Sequence, residues 1–217
     1  MAPIRTAIIG LSASAKTSWA AGAHLPYLQS SNGKERYEIV ALLNSSEKAA
    51  RAAIESFKLP STTKAFGDPE SLAADPDIDL VVNCTRVDVH HDTILPSVKA
   101  GKNVYVEWPL AQDAKHVREL VDAADKSGSR TIVGIQGRAA PVNVKLREIL
   151  ESGRIGKVLS SELFGFGGTN DRVLIPETLS YFGERAVGGN LYTINYGHCE
   201  RNHVLSRDDR LTVYHSI

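Results

Sequence analysis

Ile4–Leu28 reads IRTAIIGLSASAKTSWAAGAHLPYL, and its order of residue types decides the fold. An apolar run, Ala7-Ile8-Ile9, meets Gly10; small residues follow, then an Ala-rich segment of helical composition. Strand, tight turn and helix in that order open a dinucleotide-binding unit. Residues this small let a pyrophosphate approach the backbone, and a helix N-terminus behind the loop favours anions. Against the pattern G-x-G-x-x-G, however, Gly10-Leu11-Ser12-Ala13-Ser14-Ala15 keeps only the first glycine. The same opening occurs in α/β proteins that bind no nucleotide, so these residues alone leave both readings open.

Working outward, the alternation continues. Residues 38–43 form a continuous apolar run, as expected of a strand buried on both faces. Ser45 or Ser46 is placed to cap a helix whose Ala50, Ala53, Ile54 and Phe57 share one face. Lys64-Ala65-Phe66 reads as a short strand. Asp68-Pro69-Glu70 then supplies a cap, a proline at the first helical position and a first-turn acid. Ile78–Cys84 is the next strand, and a helix beyond Asp88, with Pro96 inside it, runs to Gly101. Asn103–Glu107 is a strand. It is followed by a helix to about Asp125 whose inward stripe is Val117, Leu120, Val121 and Ala124. Thr131–Ile135 is a strand, and Val142–Glu151 a helix with Val142, Leu146, Ile149 and Leu150 inward. Strands alternating with helices in this way predict an α/β fold with a doubly wound parallel Rossmann sheet.

The rhythm then changes. Lys157–Phe166 reads as a long strand, Gly-rich segments follow, and beyond Cys199 the chain is polar with weak periodicity. The expected organisation is a nucleotide-binding domain over residues 1–136, an incomplete α/β second domain over 137–198 and a divergent tail over 199–217. One strand and some loops cannot close a core, so the chain reads as cut short.

Composition narrows the function classes. Lys plus Arg and Asp plus Glu both number 25 among 217 residues, which leaves no electrostatic footprint for nucleic acid or an anionic membrane. The two cysteines, Cys84 and Cys199, make no disulfide framework, and Cys84 sits in an apolar run as a small buried thiol would. Without a leader or a spanning apolar run, a reducing cytoplasmic or nuclear compartment is the expectation. His90-His91-Asp92 invites a metal reading, but adjacent helical histidines point apart and no i, i+4 pair completes a set. No metal is expected there.

Four separated pieces carry a resemblance: the opening unit ending His24-Leu25-Pro26-Tyr27, Val104 to Leu110 around Glu107-Trp108-Pro109, Gln136 through Val158, and Gly188-Gly189-Asn190 to His198. Together, over roughly residues 4–198, they are similar to the glucose-fructose oxidoreductase / inositol dehydrogenase / rhizopine-catabolism (Gfo/Idh/MocA) family. Within it, the Gly-Leu-Ser-Ala-Ser loop and the Glu-Trp-Pro-Leu variant most resemble the fungal branch containing the galactose-pathway transcriptional repressor. The resemblance implies a Rossmann domain joined to an α/β domain with an open antiparallel sheet. It also implies NAD or NADP as cofactor, and hydride transfer to or from a sugar- or polyol-like hydroxyl compound. Full-length relatives are expected to be homo-oligomers. For the repressor branch it implies instead a catalytically silent, cofactor-binding regulator that docks a protein partner.

On this pattern the cofactor is expected along Gly10, Ser12 and Ala13, with its adenosine end near Asn44 and Ser45 and its nicotinamide end toward Thr85, Arg86, Glu107, Trp108 and Pro109. Asn44-Ser45-Ser46 stands where NAD-binding chains often carry an acid; neutral groups tolerate a 2′-phosphate, with Lys48 or Arg51 nearby. The family's motif lysine is Trp108 here, which has only an indole N–H and cannot act as general acid or base. Trp108 reads either as a stacking wall or as a packing residue at a domain seam. The family's later aspartate corresponds to Ile194, leaving His198 as the surviving candidate for handling a proton, or as a structural histidine.

Overall fold

The computed structural model describes residues 2–15, 18–160 and 177–188. Six parallel strands form one sheet: β1 (Ile4–Ile9), β2 (Tyr37–Leu43), β3 (Lys64–Phe66), β4 (Leu80–Asn83), β5 (Asn103–Glu107) and β6 (Thr131–Gly134). Their spatial order is β3-β2-β1-β4-β5-β6, the doubly wound order with its switch point between β1 and β4. Every pairing is parallel, so all six carboxyl ends emerge at one edge.

The apolar runs are continuous because each strand feeds two cores. Ile8 and Leu42 point to one face, where Ala50, Ala53 and Ile54 of α3 (Glu47–Ser56) and Leu25 cover them. Ala7, Ile9, Leu43 and Val81 point to the other, against Ile94 and Val98 of α5 (His90–Lys99) and Leu120 of α6 (Ala114–Ser127). Alternate residues therefore reach opposite helical layers, and the polar residues buried on these strands, Thr6 and Asn83, are hydrogen-bonded, Thr6 to the Ile4 carbonyl and Asn83 to Thr93.

The helix starts follow the capping chemistry. Ser46 accepts from the Ala49 amide and Asp68 from the Ser71 amide at the start of α4 (Pro69–Ala74). Asp113 accepts from the amides of Lys115 and His116. Each satisfies donors that the first helical turn leaves unpaired.

Four expectations change. The Ala-rich segment after β1 is a π-helix over Ala20–His24, with α1 (Leu25–Leu28) following and α2 (Ser31–Lys34) close behind. In α6, Val121 is 47% exposed, and of the expected stripe only Leu120 and Ala124 are buried. In α7 (Pro141–Glu151) no residue is buried: Val142 and Leu146 are exposed, and Ile149 and Leu150 are only half-buried. Residues 157–160 are not strand, and the rest of that expected strand, 161–166, lies outside the described residues.

Candidate functional site

The carboxyl ends of β1, β2, β4 and β5 enclose a cavity of about 960 Å³. Gly10 shapes its floor. Its φ is +91°, and a Cβ there would stand 2.8 Å from the Thr85 methyl, so only glycine lets β1 turn this close to the β4 loop. The Gly10 amide donates to the Leu43 carbonyl at 3.0 Å, fixing the turn to β2. Ser12 lines the wall, and its carbonyl accepts from the Ser18 hydroxyl at 3.2 Å. Ala13 does not line it; this residue is exposed at the tip of the turn.

At the β2 end, Asn44 and Ser45 both face the cavity. The Asn44 amide donates to the carbonyl of Leu11 at 2.9 Å, so its NH₂ is committed to the framework and its oxygen is the group left to offer. Arg51 is ion-paired with Glu47 on the exposed face of α3 at 2.5 Å. No carboxylate lines this end among the described residues.

At the β4 end, the Asn83 side-chain oxygen Oδ1 accepts from both the backbone amide and the hydroxyl of Thr85, at 3.0 and 2.7 Å. That clamp orients the Thr85–Arg86 loop over the cavity. The Arg86 guanidinium is held by Asp88 at 2.6 and 2.5 Å and lies 5.6 Å from the Tyr181 ring centre. Arg86 thus serves as part of the wall, and its hydrogen bonds, then its charge, pull the Asp88 carboxyl below its usual range. Tyr181 and Phe182, from the 177–183 segment, close the outer side.

The β5 end carries Glu107 and Trp108 on the wall and a cis bond between Trp108 and Pro109. Pro109 itself is set back; its carbonyl faces His90 Nδ1 at 2.9 Å, while His90 Nε2 faces the Thr85 carbonyl at 2.8 Å. His90 is 1% exposed, and burial pushes its pKa down. A neutral imidazole has one N–H, so it serves one of these two carbonyls at a time. His91 turns the other way, toward Asp92 and Glu119, as adjacent helical positions require.

Sequence reasoning missed one grouping. His24, carried by the π-helix, places Nε2 2.6 Å from Glu107 Oε1. Cys84 lies beside them, and the three ligand atoms fall within 4.8 Å of one another. Tyr105 stands edge-on to the His24 ring with centroids 5.4 Å apart. Burial, then the charge of Glu107, pushes the Tyr105 phenol up to about 12, and the same two causes in the same order raise the Cys84 thiol. The signal available in sequence was register alone: Asn83 pairs with Val106, so the next residues, Cys84 and Glu107, emerge side by side.

Gly188 has φ +72°, and a Cβ there would come 2.3 Å from the Gln112 carbonyl oxygen, so this glycine lets the later segment close onto the loop after β5. His198, with Ile194, lies outside the described residues.

A family model described as "Oxidoreductase family, NAD-binding Rossmann fold" (GFO_IDH_MocA) matches residues 4–135. The dehydrogenase aclE of Aspergillus oryzae is 35% identical over 198 residues, covering 90% of this chain and 52% of that protein. The galactose/lactose metabolism regulatory protein GAL80 of Saccharomyces cerevisiae is 32% identical, over 91% of this chain and 46% of that protein. A crystal structure of a super-repressor mutant of Gal80p superposes with a TM-score of 0.83 at 30% identity, covering 94% of this chain and 54% of that one. A myo-inositol dehydrogenase from Lactobacillus casei, solved in complex with NAD(H) and myo-inositol, gives a TM-score of 0.61 at 29% identity, over 71% of this chain and 43% of that one. This chain spans about half the length of the curated relatives it matches.

Proposed function

Because the chain belongs to the Gfo/Idh/MocA oxidoreductase family, of NAD-binding Rossmann fold, we propose that it binds NAD or NADP in the cavity at the sheet edge and transfers hydride to or from a sugar- or polyol-like hydroxyl compound. The observation that carries this reading is the continuity of the cavity from Asn44 and Ser45, past Gly10 and Ser12, to Thr85, Glu107 and Trp108. A dinucleotide is long, polar and flat, and pockets of this size at a topological switch point are where such ligands sit. The Gly10 turn gives backbone access, Asn44 offers a neutral oxygen at the ribose end, and Trp108 offers an aromatic face at the other. The nicotinamide supplies the hydride chemistry when bound. The chain's residues hold it, orient it and exclude water. We take residues 1–136 as the cofactor-binding unit and residues 137–198 as part of a substrate-binding one, with His198 as its candidate for handling the hydroxyl proton.

A second reading rests on one residue. Trp108 occupies the position that the resemblance assigns to the motif lysine, and an indole moves no proton at neutral pH. On that ground the chain is a cofactor-binding regulator that docks a protein partner, a reading supported by its similarity to GAL80.

One experiment separates the two. Absorbance of protein-bound NAD(P)H, followed with a panel of sugars and polyols, is expected to show oxidation or reduction with at least one compound. Binding without turnover across the panel, together with cofactor-dependent recovery of a partner in pull-downs, would establish the regulator instead. A Trp108→Lys variant is expected to raise turnover; no gain in a folded, cofactor-binding variant would show that the surrounding site is not arranged for catalysis.

The neutral ribose end sets a further expectation. NADH and NADPH should bind with affinities within about tenfold of each other, since a missing acid removes the repulsion that normally excludes the 2′-phosphate. Fluorescence titration with each cofactor reads this directly, and a preference of a hundredfold or more for either would contradict it.

A further inference from the structure

We propose that His24, Cys84 and Glu107 form a binding site for one zinc-class transition-metal ion, opening onto the cavity. The proposal stands on geometry and donor chemistry and does not require the hydride-transfer reading. The three side chains come from three elements: the π-helix Ala20–His24, the residue after β4, and the last residue of β5. Their ligand atoms lie within 4.8 Å of one another, close enough that small side-chain rotations bring them around a single ion. Cys84 and Glu107 also face the cavity, which leaves one side of the group open.

The donor set is informative. One imidazole nitrogen, one thiolate and one carboxylate oxygen suit a borderline-soft cation, and three protein ligands with an open fourth position describe reactive zinc sites. Magnesium and calcium prefer sites built from oxygen alone and are poor matches for a thiolate. Charge points the same way. The Glu107 carboxylate side chain is only 12% exposed and sits against Cys84, so a dication facing both neutralises the carboxylate and the thiolate formed on binding. Binding requires the Cys84 thiol to lose its proton: the S–H bond breaks, the metal–sulfur bond forms, and one proton leaves to solvent.

The surroundings are built to hold these ligands. Tyr105 packs edge-on against His24, and its hydroxyl stands so near Gly134 that a Cβ there would be 2.4 Å from it. The same Cβ would fall 3.1 Å from Glu107 Oε2, so Gly134 leaves the phenol and the carboxylate room to meet. Outer contacts of this kind orient metal ligands and raise affinity. The π-helix contributes as well. Single π turns occur often at functional sites, and here the wide turn ends on His24.

The test uses the purified 217-residue chain, stripped with a chelator and titrated with cobalt(II) as the probe. The expected result is one ion per chain, with a near-ultraviolet sulfur-to-cobalt charge-transfer band and the intense visible bands of a four-coordinate site, both abolished by added zinc. The charge-transfer band should persist in Cys199→Ser and vanish in Cys84→Ser. Glu107→Gln and His24→Gln should each weaken cobalt binding by at least about tenfold. Circular dichroism confirms that each variant is folded, and where Cys84→Ser is not, the two glutamine variants carry the decision. No spectral change on titration, a band that survives loss of Cys84, or weak bands of a six-coordinate ion would overturn the proposal and leave a hydrogen-bonded His24–Glu107 pair beside an inert thiol.

Discussion

His90 concentrates the physics of the site in one buried ring. Its two nitrogens face the carbonyls of Thr85 and Pro109, which belong to the loops after β4 and β5. Replacing it with an apolar residue of similar size, His90→Leu, removes the one N–H that these two carbonyls share. The expected cost is about 1–3 kcal/mol for the one buried hydrogen bond lost, read as a drop in the urea midpoint, with weaker NADH binding because the same loops line the cavity. An unchanged midpoint would mean that the carbonyls find other partners. Individual site residues were unevenly legible. Gly10, Ser12, Asn44, Ser45, Thr85, Arg86, Glu107 and Trp108 all reach the cavity, since strand ends in an alternating pattern converge on one edge. Ala13 and Pro109 fall just outside it, because a position in a loop says little about which way the residue faces. The contact of His24 with Glu107 could not be read at all, since they are 83 residues apart and joined by a π turn that no local preference announces.

At the scale of the element, short capping patterns proved transparent and apolar stripes only half so. Asp68-Pro69-Glu70 foretold the start of α4 because the interactions involved span three residues; Asp68→Ala is expected to lower the urea midpoint, and an unchanged midpoint would show that solvent replaces the cap. The stripe on α7 was legible as a stripe, but periodicity reports that a face is apolar, not what covers it. Between elements, Arg5 on β1 grips Asp79 at 2.7 and 3.0 Å, just before β4. That hydrogen-bonded pairing holds the Asp79 carboxyl below its usual range. A depressed folded-state pKa means the contribution is complete above the unfolded value of about 3.9 and disappears as pH falls through the folded one. Urea midpoints measured between about pH 6 and pH 3 should therefore fall less steeply for Asp79→Asn than for the parent chain. Parallel curves would show that solvent screens the pair completely.

Across the whole molecule, the doubly wound parallel sheet and its covering on both faces followed from strand–helix alternation, since a continuous apolar strand has to be covered on two sides. What alternation could not convey is how the far side is finished. Ile132 on the edge strand β6 is 60% exposed, and Val142, Ile155 and Leu159 are 66%, 58% and 82% exposed. With 25 basic and 25 acidic side chains, no net charge opposes association through these positions. The 217-residue chain is expected to bind an apolar dye and to self-associate as its concentration rises. Sedimentation showing a monomer with a cooperative melt would contradict this.

Four strand ends, separated by as many as 98 positions from Ile9 to Glu107, build the cavity, so it exists only when the chain is folded. Any compound that fits it selects the native state over the unfolded one by mass action. At a hundred times its dissociation constant, such a compound adds about 2.7 kcal/mol to stability, whatever its chemistry. A thermal-shift screen of the intact chain therefore detects ligands of this pocket without an assay for turnover or a known partner. Compounds that bind across the β1–β4 switch point would announce themselves first as heat resistance.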